Sequence, residues 1–161
     1  MEGWVRALSL AVSATIAVSA MAPTPSAAGS KALPDRWVGT WRLVSETLVD
    51  ETGAPAGSLF TDTVGKLTYT PRGDVWALVG SSTDATSAVW YTGTAEVRRR
   101  AGVVVHHVQY ASIQAWIGTD LVRGYEFSAH DKRLTLSAEV TPELTDVLEW
   151  RRAGPRWAGP L

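Results

Sequence analysis

Between Val103 and Phe127 the chain reads VVVHHVQYASIQAWIGTDLVRGYEF, two runs that mix apolar and polar residues around a turn. Side chains alternate faces along a strand, so such runs commit the chain to a sheet with two unlike faces. In the first run Val104, His106, Val108, Tyr110 and Ser112 share one face, and Val103, Val105, His107, Gln109 and Ala111 the other. The two histidines therefore point to opposite sides and cannot chelate one metal from a regular strand. In the second run Leu121, Arg123, Tyr125 and Phe127 share a face, opposite Asp120, Val122, Gly124 and Glu126. Arg123 stands on the apolar parity, where an unpaired charge is expensive to bury. Three arrangements answer that: a structural partner, a wet cavity, or a face turned outward.

The same strand signal recurs along the chain. It predicts strands at 40–49, 64–70, 75–79, 90–97, 103–112, 119–128, 133–139 and 146–152. The turns between them carry their own chemistry. Pro71-Arg72-Gly73-Asp74 supplies a proline for a first corner and a glycine for a left-handed position. Arg98 to Gly102 and Ala129 to Lys132 are short and polar. Residues 50–57 read as a loop, 58–62 are ambiguous, and 80–88 are a loop or one helical turn. No stretch reads as a convincing helix, and no internal repeat is visible. About eight short strands joined mostly by short turns predict an all-β, antiparallel, up-and-down barrel, wide enough for one small ligand.

At 161 residues the chain fits one domain, and 45% hydrophobic with 19% charged residues is a globular composition. A net charge of -1 gives no general attraction to nucleic acid or to an acidic membrane. The absence of cysteine excludes disulfides, thiolate catalysis, cysteine zinc sites and a lipid-attachment cysteine. Eight tryptophans suit a broad core, a barrel plug or a cavity lining. Residues 1–28 resemble an export signal: Arg6, an apolar run from Ala7 to Ala22, Pro23 and Pro25, then Ser26-Ala27-Ala28. The run is short and serine-bearing for a membrane span. The expected organisation is a signal peptide at 1–28, a polar lead-in at 29–36, a barrel domain at 37–153 and a tail at 154–161. The expected product is secreted or extracytoplasmic, with no stable membrane span after cleavage.

Gly39-Thr40-Trp41 resembles the Gly-x-Trp signature of lipocalins. With GTWRLVS at 39–45, GKLTYTPRGDVWA at 65–77, YTGTAEV at 91–97, the 103–127 stretch and LEWRR at 148–152, the chain resembles the bacterial lipocalin-like domain family over nearly all of its expected mature length. The resemblance implies a lipocalin-like barrel. Some lipocalin-fold proteins carry apolar molecules; others act as cyclases or isomerases in natural-product pathways. It also implies that Trp41 packs at the closed end of the barrel with Arg152 over it. The family's strand histidine, turn tryptophan and following arginine fall on His106, Trp116 and Arg123. The sequence departs from the family pattern at Gln114-Ala115, where Pro-Asn is frequent, and is short around 80–90.

His106, among Val104, Val108 and Tyr110, reads as a core histidine or as a neutral imidazole able to bond a ligand oxygen or move a proton. Tyr69 shares a parity with Leu67, and Tyr91 with Val97, so either can point inward. The candidate ligand-binding set is therefore His106, Tyr110, Arg123, Tyr69, Tyr91 and Trp116, with His106 the candidate catalytic residue. His107 and His130 are expected to be exposed, and neither a metal nor a cofactor is expected. Arg98 to Arg100 read as a solvated hairpin tip. There is no Gly-x-Ser-x-Gly, phosphate loop or dinucleotide fingerprint. Three functions fit: a carrier of a small, largely apolar molecule; a cyclase or isomerase acting on a polyketide or polyene intermediate; or an interaction module with a filled core.

Overall fold

A computed structural model describes residues 32–154; the expected signal segment and most of the expected tail lie outside them. The alternating runs form β1 (Gly39–Asp50), β2 (Pro55–Gly57), β3 (Thr63–Tyr69), β4 (Asp74–Ser81), β5 (Val89–Arg98), β6 (Val103–Ala111), β7 (Asp120–Ser128), β8 (Arg133–Thr141) and β9 (Leu144–Arg152). Every neighbouring pair is antiparallel, and β1 bonds to both β3 and β9, so β1 and β3 to β9 close an eight-strand barrel. This is the predicted architecture. The addition is β2, a short strand on β1 in the stretch that reads as a loop. Asp50 makes it possible: its carboxylate accepts the backbone N–H of Thr52 at 2.9 Å and of Ala54 at 3.0 Å, and Gly53 takes a φ of 81°. No described helix is long and apolar enough to cross a membrane.

One end of the barrel is plugged from within. Residues 32–38 cross it, and Leu33 N–H donates to the Pro71 carbonyl at 3.3 Å. Trp37 and Trp41 are fully buried there, with Tyr69 and Leu134. The Trp41 indole N–H donates to the Trp37 carbonyl at 3.0 Å. The Arg152 guanidinium lies 4.1 Å above the Trp41 ring and donates to the Val38 and Arg36 carbonyls at 2.7 and 2.6 Å. Such a stack is worth about 0.5–2 kcal/mol, according to burial. It also satisfies carbonyls of the crossing segment, so one side chain holds both the plug and the last strand.

Two β-bulges decide which side chains enter the lumen. On β6, Val108 faces Gly93 while Tyr110 faces Thr92, leaving Gln109 as the extra residue. On β1, Leu43 faces Trp150 while Ser45 faces Glu149, leaving Val44 extra and 48% exposed. Each bulge reverses the parity beyond it. The first turns Tyr110 out of the barrel; the second turns Glu46 in. Gly93 is what lets the β6 bulge form. A Cβ at that position stands 1.9 Å from the His107 carbonyl oxygen. Gly93→Ala is therefore expected to destabilise the fold by about 1–3 kcal/mol, through forced backbone shifts. A urea midpoint equal to wild type would show that the bulge relaxes freely.

Candidate functional site

Inward residues of four strands, β3, β5, β6 and β7, converge on one polar array. His106 is paired across the sheet with Ala95 on β5 and Leu121 on β7, and is fully buried. Its Nε2 lies 2.8 Å from the Tyr69 hydroxyl and its Nδ1 2.7 Å from the Tyr91 hydroxyl. Burial, with the Arg123 and His107 charges adding to it, pushes the imidazole down to about 3. The ring is thus neutral near pH 7. Burial also raises both tyrosines, well above the ordinary range for Tyr69, while Arg123 opposes the rise at both.

Proton counting constrains this array. Two hydroxyls and one neutral imidazole carry three hydrogens, and two are used in the bonds between them. One hydroxyl hydrogen is left over. It belongs to Tyr69 when Nε2 carries the ring proton, and to Tyr91 when Nδ1 does. A buried donor without a partner is costly, so the array favours an added oxygen acceptor.

Arg123 supplies the charge. On β7 it pairs with Val104, which is fully buried, so both point into the barrel. Its guanidinium acts on the Tyr91 hydroxyl, and electrostatically on Tyr69, His106 and Asp146. Among the described residues it lies within 4.0 Å of no carboxylate. Its neighbours on the inward face of β7, Leu121, Tyr125 and Phe127, are partly buried and pack against the core, as do Leu43, Val79 and Val97 on other strands. Trp116, in a 3-10 turn at the end of the barrel opposite the plug, sits edge-on to Tyr91 with ring centroids 6.0 Å apart.

A carboxyl pair lies in the same lumen. Asp146 is on the inward parity of Leu148 and Trp150, beside Leu48 on β1 and Ala138 on β8. It is 9% exposed, and its Oδ1 has no hydrogen-bond donor. Glu46, 7% exposed, accepts the Leu59 N–H at 2.9 Å, the Thr63 hydroxyl at 3.2 Å and the Ser58 hydroxyl. These bonds tie the segment from Ser58 to Thr63 to the barrel interior. Burial first, and the Glu46 charge second, lift the Asp146 carboxyl to about 7, against a smaller opposing effect of Arg123.

Of the candidate ligand set, the structure brings together His106, Tyr69, Tyr91 and Arg123, with Trp116 against Tyr91. Tyr110 is not among them: the bulge at Gln109 leaves it outside and 66% exposed. His107 is half-exposed rather than free, with Nδ1 2.6 Å from Asp120 and Nε2 3.6 Å from Glu96. His130 is exposed in its turn. Glu46 and Asp146 lie outside the set that the sequence points to. The alternation of 146–152 puts Asp146 on the Trp150 face, a signal that was available; Glu46 depends on a bulge that the sequence does not announce. A separate cleft of about 630 Å³ lies outside this array, between residues 32–34 and 96–101. No three His, Asp or Glu side chains among the described residues form a metal-binding group.

A lipocalin-like domain family matches residues 79–153. No curated protein matches the chain. A redesigned β-barrel is similar at 9% identity with a TM-score of 0.44, covering 74% of this chain and 93% of its own. A de novo designed fluorescence-activating β-barrel is similar at 16% identity with a TM-score of 0.43, covering 74% of this chain and 99% of its own.

Proposed function

We propose that this chain, lipocalin-like over residues 79–153, binds a small, largely apolar molecule in its barrel, with a carbonyl or carboxylate oxygen of that molecule seated on Arg123 and a tyrosine hydroxyl. The observation that carries the proposal is Arg123 itself: an inward guanidinium beside Tyr91, without a carboxylate within 4.0 Å among the described residues. A charge held this way is poised for an outside oxygen. Apolar neighbours such as Leu121, Val108 and Val79 supply burial, at roughly 25 cal/mol per Å² of ligand surface. We extend the proposal to export, from the pattern of residues 1–28.

The test is a fluorescence titration with cis-parinaric acid, an apolar chain with a carboxylate head. Arg123→Leu is expected to weaken binding at least tenfold, as loss of a charged hydrogen bond worth about 1.5–3 kcal/mol requires. Affinity equal to wild type in a folded Arg123→Leu protein removes Arg123 from the site. Native mass spectrometry of protein from its own host, followed by organic extraction, then identifies the natural ligand. A catalytic version of this reading, an isomerase or cyclase, is favoured by one further feature, the carboxyl pair.

A further inference from the structure

Ligand binding alone leaves Glu46 and Asp146 unexplained. A carrier of an apolar molecule gains nothing from two acids facing each other in its lumen, and burying both is unfavourable. Their placement is specific. Both are inward, on adjacent strands β1 and β9, and Glu46 reaches the lumen through a bulge. Glu46 is held by three donors, whereas Asp146 Oδ1 has none. Arg123 is the group common to both halves of the lumen, acting on Asp146 on one side and on Tyr91, Tyr69 and His106 on the other.

We propose that the lumen catalyses proton transfer at carbon, with Asp146 removing a proton from the carbon beside a ketone or aldehyde carbonyl whose oxygen is held by Arg123 and a tyrosine hydroxyl. The proposal rests on the binding reading above and names its substrate class: apolar carbonyl compounds with an acidic α C–H. In the step, the α C–H bond breaks and its proton goes to the Asp146 carboxylate. The bonding pair becomes the C=C bond of an enolate, and the carbonyl π pair moves to oxygen. The Arg123 charge and the leftover hydroxyl hydrogen stabilise that oxyanion. Asp146 then returns the proton to the same carbon or, in a conjugated substrate, two carbons further on. No oxidant, reductant or co-reactant is needed. Glu46 acts as a positioning residue, fixed by its three donors.

A base that titrates near neutrality can both take and return a proton. The Asp146 carboxyl meets that condition at about 7. The charged groups that act on it are Glu46 from β1 and Arg123 from β7; its β8 partner is the uncharged Ala138. The reaction is therefore expected to quicken as pH rises through about 7.

The experiment follows α-deuteration of β-tetralone in D₂O by proton NMR, with the full chain, while saturation transfer reports whether the ketone binds. Expected are exchange at least tenfold above buffer at the same pH, a fall to the buffer rate in Asp146→Asn, and partial activity in Asp146→Glu. Bound ketone with exchange at the buffer rate overturns proton transfer and leaves the binding reading standing. Neither binding nor exchange overturns both for this ligand class. A folded Asp146→Asn protein that exchanges as fast as wild type overturns the role of Asp146.

Discussion

Trp37→Ala is expected to lower the unfolding free energy by about 3–5 kcal/mol, the range for removing a large aromatic side chain from a core. The indole is fully buried at the plugged end, edge-on to three other rings: Tyr69 at 5.4 Å, Tyr125 at 4.8 Å and Phe127 at 4.9 Å between centroids. Edge-on pairs add to the area term, about 0.5–1.5 kcal/mol each. Little around the site can collapse into the gap. The residues 32–38 that carry Trp37 are held by Arg152 bonds at Val38 and Arg36 and by a Leu33 bond to Pro71, and the strands around them are closed in a ring. A domain of this size has only about 5–15 kcal/mol in hand, so the loss takes a large share of it. Trp37→Phe is expected to lose much less. It keeps an aromatic ring in place and removes the indole N–H, which has no hydrogen-bond partner. The measurement is urea unfolding at fixed pH. A midpoint drop in Trp37→Ala no larger than that of Trp37→Phe would show that the plug is not a stability element.

The same loss has a functional consequence. Tyr69 packs on Trp37 with one face and bonds His106 Nε2 with its hydroxyl. The plug therefore fixes one arm of the polar array, and through His106 the other arm at Tyr91. The proposed binding at Arg123 and the packing at the closed end are thereby linked through the hydrogen bonds of His106 to Tyr69 and Tyr91.

How much of this the sequence discloses depends on where the strands are regular. Strand positions, the turns and the inward parity of Tyr69, Tyr91, His106 and Arg123 follow from period-two alternation, because parity propagates along an unbroken ladder. It fails at the two bulges. A bulge inserts one residue, so every side chain beyond it changes face. Alternation alone therefore puts Tyr110 in the lumen and Glu46 outside it, the reverse of their places in the barrel. The glycine that permits the β6 bulge lies on the neighbouring strand, and its requirement comes from one close carbonyl that alternation says nothing about. Trp37 is hidden for a different reason: it precedes the first strand, so no periodicity marks it as core. Asp146 shows the remaining limit. Its face was legible, but its chemistry depends on Glu46, a residue 100 positions earlier in the sequence and adjacent only in the closed barrel.

Asp146 and His106 are expected to give the protein two opposing pH dependences that cancel between about pH 5 and 6.5. Asp146 is raised in the folded state, from 3.8 to about 7, by burial and by Glu46. In this window the folded protein holds a proton that the unfolded chain has lost, so stability falls as pH rises. His106 is lowered, from 6.5 to about 3, by burial and by Arg123. Here the unfolded chain holds the extra proton, so stability rises with pH. One proton of difference corresponds to about 1.4 kcal/mol per pH unit in either direction. Wild type is therefore expected to show a nearly flat stability across the window. Asp146→Asn removes the falling contribution and should leave a curve that rises with pH. His106→Gln removes the rising one and should leave a curve that falls. At pH 8 Asp146→Asn should also be the more stable protein, by up to about 4 kcal/mol, because it no longer ionises a buried group. Urea unfolding of the three proteins at half-unit steps from pH 5 to 8 reads all of this at once. Parallel curves for wild type and Asp146→Asn would mean that Asp146 titrates as an ordinary carboxylate, and the acid–base role in the lumen would fall with it.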